Sequence, residues 1–147
     1  MSADTDLLDG LAQALHDAGV AIWRTDAPYA AGETAIVLGG MPQSPHRAVA
    51  LALYGPSDDH PDQAYGIRRV QVRVRGLPGS YRDAVDLDDA CFHALHALTH
   101  QQWGDAHANQ VLRISGVPLG QDDAKRWEIT SNYQVDLDTP PTALRPH

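Results

Sequence analysis

The sequence has few residues that could build a covalent or metal-based framework. Its 147 residues contain one cysteine, Cys91, which excludes an internal disulfide framework and a zinc site built on cysteines. The longest apolar runs are only a few residues, too short to span a bilayer, so no membrane contact is expected. The acidic start, MSADTDLLDG, lacks the basic region and cleavage pattern of a signal peptide. We therefore expect a soluble protein that resides in the cytosol.

Motifs that mark common enzyme classes are also missing. The sequence contains neither the dinucleotide fingerprint G-x-G-x-x-G nor the phosphate loop G-x-x-x-x-G-K. The serine nucleophile elbow G-x-S-x-G is absent as well. We therefore expect no catalytic residues and no cofactor, and a protein that is not an enzyme.

Charge is distributed unevenly along the chain. The formal net charge is −8, with 11 basic and 19 acidic residues. This sign is wrong for a protein that grips nucleic acid, because neutralisation of phosphates supplies most of that affinity. Residues 65–82 nevertheless carry five arginines and no acid, whereas residues 1–64 balance at −7 and residues 83–105 at −5. One basic stripe between two acidic segments is therefore the main electrostatic feature.

Two segments have the periodicity of amphipathic helices. In the first, leucines and alanines recur at helical spacing from about Asp4 or Thr5, either of which could cap the helix, to Gly19, which would end it. In the second, Ser80 followed by Asp83 resembles a capping box, and apolar residues continue to about Thr99.

Several other segments have the pattern of strands. Short apolar runs occur at 20–23 and 35–38, and a strand that is apolar on both faces is predicted over 47–54. The small alanines on one face of that strand, at 48, 50 and 52, predict close approach of a helix. In the segment 67–75, valines alternate with arginines and glutamine. A further strand is predicted over 111–117, with Leu112 and Ile114 toward the core.

The clearest strand runs from 126 to 137. Its apolar side chains alternate with polar ones, and Trp127, Ile129 and Tyr133 lie on the inward face. The order of helix, strands, helix and two strands predicts an α+β fold, with two helices packed on a mostly antiparallel sheet in a single-domain sandwich. We assign this domain to residues 1–138 and a Pro-rich C-terminal tail without a partner of its own to residues 139–147.

Histidines offer the one alternative with metal chemistry. His93, His96 and His100 fall in the second predicted helix, and His96 and His100 are one turn apart, as zinc ligands often are. No glutamate stands between them. A solvated helix face without a metal is the favoured interpretation, and a small histidine-based metal-binding enzyme domain is the alternative.

Arginines form a stripe on the outward face of the 67–75 strand, beginning at Arg68. Pairing within the chain, with Glu128 or Asp136, is one interpretation, worth less than about 1 kcal/mol per exposed pair. Contact with an acidic segment of a neighbouring subunit is the other. The candidate subunit interface combines the stripe with acids of the 57–65 loop: Arg69, Arg73, Arg75, Asp58, Asp59 and Asp62.

The layout of these elements resembles that of the tail terminator proteins of long-tailed bacteriophages, also called minor capsid or tail completion proteins. The alternating strand RRVQVRVRG is followed by the helix YRDAVDLDDACFHALHAL, and the closing strand RWEITSNYQV carries the most specific pattern, from Trp127 to Val135. The resemblance covers about residues 4–138 and again indicates an α+β sandwich.

The resemblance implies a structural function in the virion. Such proteins form a ring, which we expect to be a hexamer. The ring caps the tail tube, halts its polymerisation and joins the tail to the head connector in the neck. The implied partners are copies of the chain itself, the tail tube protein and the connector or stopper protein. DNA would pass through the lumen without specific binding, and assembly would take place in the host cytoplasm. A head–tail stopper or another neck ring protein is the nearest alternative, and a monomeric binding module is a third class.

Overall fold

A computed structural model describes residues 2–147 of the chain. It contains two helices and eight strands, which in chain order are α1 (Ala3–Asp17), β1 (Ile22–Trp23), β2 (Ala35–Leu38), β3 (Ala48–Leu53), β4 (Asp58–Asp59), β5 (Tyr65–Pro78), α2 (Tyr81–Leu95), β6 (Thr99–Trp103), β7 (Ala106–Gln121) and β8 (Arg126–Asp138).

The eight strands of the described residues form one sheet. Seven follow the order β1-β2-β3-β5-β8-β7-β6, and β4 pairs with β5 off this path. The pairs β1–β2 and β2–β3 are parallel, and all other pairs are antiparallel. The predicted fold class, a single α+β domain with two helices and a mostly antiparallel sheet, is therefore confirmed.

Both helices cover the same face of the sheet. The β5 valines predicted to point inward, Val70, Val72 and Val74, are fully buried. They pack with leucines of both helices and with the inward residues of β8 in one hydrophobic cluster. Each fully buried Val or Leu side chain stabilises the fold by about 1.5–3 kcal/mol relative to an exposed one. The core therefore lies between the two helices and the centre of the sheet.

Caps and close contacts fix where the helices lie. The Ser80 Oγ accepts a hydrogen bond from the Asp83 N–H at 3.1 Å, as the capping-box pattern predicts. At α1 the cap is Ser2, so the predicted cap at Asp4 or Thr5 is wrong. Any Cβ on Gly10 of α1 would overlap the Trp103 ring, so glycine there lets β6 pack directly on the helix.

The alanine face of β3 is not covered by a helix. Ala48 and Ala50 are buried, but they are paired with Arg75 and Arg73 of β5, whose side chains lie on the face opposite the helices. The predicted helix approach at this face is therefore wrong. Small side chains here make room for arginines and not for a helix.

The second helix is shorter than its apolar pattern predicts. It ends at Leu95, and Ala97 has a φ of 71°, in the left-handed region that non-glycine residues seldom adopt. The Ala97 N–H donates to the Val111 carbonyl at 2.7 Å, so the chain leaves the helix to bond with β7. His100 consequently lies in β6 and shares no helix face with His96.

Irregularities in β7 overturn the predicted inward face of this strand. Register shifts against β8 occur between Ala108 and Gln110, between 113 and 115, and between 118 and 120. Each bulge reverses which side chains face the core. Val111 is therefore buried, whereas Leu112 is only partly covered and Ile114 is exposed.

The C-terminal tail has partners, contrary to the prediction. The Arg145 guanidinium donates to the His60 carbonyl at 2.8 Å and to the Gln63 carbonyl at 2.7 Å. The Thr142 and Arg145 backbones also hydrogen-bond to each other in a turn. This segment is therefore held against the loop that precedes β5. Within residues 2–147, no helix is both long and apolar enough to cross a membrane.

Tyr133 provides a test of the strand faces. Its side chain is fully buried, and its hydroxyl has no hydrogen-bond partner among the described residues. Tyr133→Asp should unfold the domain, because it places a charge in the core. Tyr133→Phe removes only the unpaired hydroxyl and should leave the free energy of unfolding unchanged or raised by up to about 1 kcal/mol. Urea unfolding followed by circular dichroism measures both, and a folded Tyr133→Asp protein would show that the faces are reversed.

Candidate interaction surface

Arg75 holds a loop against the face of the sheet opposite the helices. Its side chain is buried, and its guanidinium donates to the backbone carbonyls of Pro42, Pro45 and His46 at 2.6, 2.7 and 2.8 Å. Burial, the largest effect, lowers the pKa of Arg75 from its ordinary value. The surface position expected for Arg75 is therefore wrong, because the guanidinium is used inside the chain.

Arg126 binds the same loop from the next strand. Its guanidinium donates to the Gln43 carbonyl at 2.8 Å and to Asp122 at 2.8 Å. The Asp122 carboxylate also accepts the N–H groups of Ala124 and Arg126, which fixes the turn between β7 and β8. Partial burial would raise the pKa of Asp122, but these hydrogen bonds outweigh it and hold the pKa below the ordinary 3.8.

The first arginine of the predicted stripe lies on the core side of the sheet. Arg68 is buried and donates to Asp4 at 2.6 Å and to Asp59 at 2.5 Å, so it joins the start of α1 to β4. Burial alone would lower the pKa of Arg68, but the hydrogen bonds to Asp59 and Asp4 outweigh it and raise the pKa. Asp59 of the candidate interface is thus engaged within the chain.

The remaining stripe arginines form ion pairs on the outer face of the sheet. Arg69 pairs with Asp58 at 2.9 Å, and Arg73 pairs with Glu128 at 2.9 Å. The latter is the cross-strand pairing weighed from the sequence. Of the predicted acids, Asp62 is exposed and forms no ion pair within residues 2–147. Contact of these residues with a second subunit stays a prediction.

The histidines are dispersed. The His96 Nδ1 accepts the Arg113 N–H at 3.0 Å, and its ring stacks on Phe92 at 4.6 Å between centroids. His93 lies 3.3 Å from Asp89 on the exposed side of α2. Across residues 2–147, no group of three or more His, Cys, Asp or Glu side chains is close enough to hold a metal ion.

A groove that the sequence pattern did not predict lies between α2 and the β7–β8 hairpin. It encloses about 450 Å³. Its lining combines the charged pair Asp88 and Arg113, 3.6 Å apart, with apolar residues: Tyr81, Ile114, Val117, Pro118 and Ile129. The hairpin extends past α2 here, so the core-side face of the sheet continues without a helix above it. Ser115, Gly116 and Ser131 are the small residues of its lining. We call this feature the hairpin groove.

Exposed apolar side chains concentrate around the hairpin groove. Ten large hydrophobic side chains are exposed within the described residues, and six of them come from two stretches at this end of the sheet; Tyr81, Ile114 and Val117 of these line the groove itself. These six are Leu77, Tyr81, Val85, Ile114, Val117 and Leu119. Concentration of exposed apolar surface in one patch marks a binding site for another protein more often than it marks ordinary surface.

Comparison with known proteins identifies the class. No curated protein matches the sequence. Among solved structures, a chain of the "Virion of native gene transfer agent (GTA) particle" matches with a TM-score of 0.54 at 15% identity, over 93% of this chain and 92% of that chain. At this identity the match establishes a shared fold, that of a protein of a virion particle.

The sequence profile described as "Bacteriophage tail terminator protein" matches residues 14–139, most of the chain. The chain belongs to the bacteriophage tail terminator family. It is a structural tail protein and a component of a virion, which confirms the predicted family and argues against an enzyme.

The sequence pattern does not predict the hairpin groove or the carbonyl partners of Arg75, and the reasons differ. The hairpin groove depends on the bulges of β7. Gly116, Pro118 and Gly120 are the residues in the sequence that indicate an irregular strand there, because glycine and proline are typical of bulges. The carbonyl partners of Arg75 have no side-chain signature at all, because any residue presents a backbone carbonyl.

Arg75 and Arg69 form a matched pair of arginines on the same strand. Arg75→Ala removes the donor from one buried and two partly buried carbonyls and should lower the free energy of unfolding by about 3 kcal/mol. Arg69→Ala removes only a partly exposed ion pair and should change it by less than about 1 kcal/mol. Urea unfolding of both variants measures the difference, and equal effects would contradict a buried role for Arg75.

The lowered pKa of Asp122 predicts that the free energy of unfolding depends on pH. Its folded pKa lies below the unfolded value of 3.8, so its ionised form stabilises the fold at neutral pH. That contribution is complete above about pH 5 and is lost as the pH falls through the lower, folded pKa. The stability difference between the wild type and Asp122→Asn should therefore be constant above that pH and shrink below it. Unfolding curves across this range measure it, and a difference that persists unchanged at low pH would contradict the assignment.

Proposed function

We propose that this protein forms a ring at the head-proximal end of the phage tail tube, where it stops tube polymerisation and joins the tail to the head connector. Membership of the tail terminator family supports this role. The observation that carries it is the concentration of exposed apolar side chains around the hairpin groove, since a family member that acts alone would have no need of such a surface.

A closed ring requires two different surfaces on each chain. In a head-to-tail contact, one surface of each subunit binds the other surface of the next, and the ring closes when the rotation between neighbours divides a full turn. The hairpin groove supplies one such surface. In the predicted hexamer, each of the six copies would contribute one groove. The ring would lie in the neck of the virion.

The charge of the chain suits a passage for DNA. The net charge is −8, and the stripe arginines of β5 are engaged in contacts within the chain. An acidic lumen would repel phosphates and let DNA slide, since retention needs neutralising cations. DNA is therefore a passing cargo in this proposal and not a specific ligand.

The predicted subunit-interface residues other than Arg75 remain proposed contacts. Asp62 is exposed, and the Arg73 side chain is 39% exposed beside Glu128. Exposed charges of this kind set orientation and association rate more than affinity. Arg69, Asp58 and Asp59 already have partners within the chain, so any contribution from them would add to existing ion pairs.

A head–tail stopper is the nearest alternative and would also use ring contacts, whereas a monomeric binding module would not self-associate. A histidine-based metal enzyme has less support, because His96 caps α2 and His100 lies in β6. Copies of the chain, the tail tube protein and the connector are the proposed partners, and assembly would take place in the host cytoplasm.

Loss of the protein tests the function directly. A phage that lacks it should produce tubes of uncontrolled length without attached heads, because nothing then stops subunit addition or presents the joining surface. Negative-stain electron microscopy of lysates measures tube length and attachment, and restoring the gene is the control. Tubes of normal length without heads would indicate a stopper in place of a terminator.

A further inference from the structure

The C-terminal tail ends the chain far from the hairpin groove. Strand β8 lines the groove with Ile129 and Ser131 and ends at Asp138, where the tail begins. From Ser131 to Asp138 the strand rises about 23 Å at the spacing of an extended chain. The groove and the tail therefore lie at opposite ends of one subunit, as the two halves of a head-to-tail contact must.

Leu144 projects from the tail into solvent. Its side chain is 93% exposed, the highest value among the exposed large hydrophobic side chains described. The backbones of Thr142 and Arg145 bond to each other on either side of it, at 2.8 and 3.2 Å. Arg145 in turn binds the carbonyls of His60 and Gln63, which anchors this turn to the body of the protein. A leucine so exposed and yet held in place is organised for contact before binding, which reduces the entropy lost on association.

The hairpin groove fits such a side chain. It encloses about 450 Å³, and it is lined both by small residues, among them Gly116 and Ser131, and by the larger apolar groups of Tyr81, Ile114 and Ile129. Leucine in this groove removes apolar surface of both partners from water, and the Asp88–Arg113 pair keeps one side of the groove polar.

Charge favours contact between unlike ends. At the tail end, Asp58 and Asp59 are paired with Arg69 and Arg68, and Arg145 binds backbone carbonyls. Asp62 and Asp138 there form no ion pair among the described residues, and Asp62 is exposed. The groove end carries Arg82 and Lys125, both exposed and unpaired within residues 2–147, beside exposed Asp86 and Asp123. A tail-to-tail contact would bring these unpaired acids of two subunits together, whereas a tail end meets a nearly balanced groove end. Electrostatics thus opposes a tail-to-tail dimer.

We infer that the Leu144 turn of one subunit inserts into the hairpin groove of the next copy of this chain. This inference rests on the proposed ring and names the contact that closes it. The turn supplies the projecting apolar group, and α2 with the β7–β8 hairpin supplies the site. Arg145 acts as a positioning residue that holds the turn in place.

The test uses two variants of the full chain that break opposite sides of the contact. Leu144→Asp removes the projecting group and keeps the groove, and Ile114→Asp places a charge in the groove and keeps Leu144. Both side chains are exposed, so both variants should fold, as circular dichroism will show; Tyr81→Asp on the same groove replaces Ile114→Asp if needed. Leu38→Asp, at a leucine that is 37% exposed and lies outside both surfaces, is the control for the added charge.

Analytical ultracentrifugation gives the oligomeric state of each protein. We expect rings from the wild type and Leu38→Asp and monomers from each of the other variants alone. An equimolar mixture of Leu144→Asp and Ile114→Asp can form one intact contact only. It should therefore give a two-chain complex, of twice the 15.9 kDa chain mass, that does not grow further.

Other outcomes separate the failure of this contact from the failure of the proposed function. A wild-type protein that stays monomeric at every concentration overturns the ring and the contact together. A wild-type ring that both variants also form overturns the contact alone and assigns the groove to another tail protein. Loss of association in Ile114→Asp but not in Leu144→Asp overturns it in favour of a groove-to-groove dimer.

Discussion

The antiparallel ladder between β5 and β8 is the constraint on which the rest of the fold depends. It pairs Tyr65 with Asp138 at one end and Pro78 with Arg126 at the other. Because strand side chains alternate, a slip of one residue would turn Val70, Val72 and Val74 away from both helices. The same register places Arg73 opposite Thr130 and Arg75 opposite Glu128 on the other face. One pairing therefore fixes both the hydrophobic core and the network of arginines behind it.

The two faces of this ladder are covered by different chemistry. On one face, the leucines of α1 and α2 bury the valines of β5, and the removal of this apolar surface from water stabilises the fold. On the other, Arg75 and Arg126 bind the carbonyls of the loop before β3. A buried guanidinium has five N–H donors, and carbonyls without partners would be costly inside a protein. The loop thus closes a polar face without a third helix and leaves the hairpin end of the core-side face free for contact with other proteins.

Regular segments were predictable from the sequence and irregular ones were not. The alternation in β5 and in β8 from Ser131 onward predicted the buried faces, because nothing interrupts the period of two. In β7 the bulges reverse the faces, so Leu112 and Ile114 were assigned inward although Val111 occupies the core. The hairpin groove joins side chains from distant stretches of the chain, and Arg145 binds loop carbonyls about eighty positions earlier. Local patterns carry no information about such long-range contacts, so the candidate surface had to come from the structure.

The irregular edge of β7 has a consequence for how the protein avoids aggregation. Beyond its short pairing with β6, the outer edge of this strand has no further strand beside it within residues 2–147. A long straight edge of this kind would template the addition of foreign strands without limit. Pro118 offers no N–H, and the register shifts twist the backbone away from a flat ladder. These features oppose the addition of further strands at this edge. Neighbouring molecules then bind through their side chains, whose geometry allows an assembly of finite size.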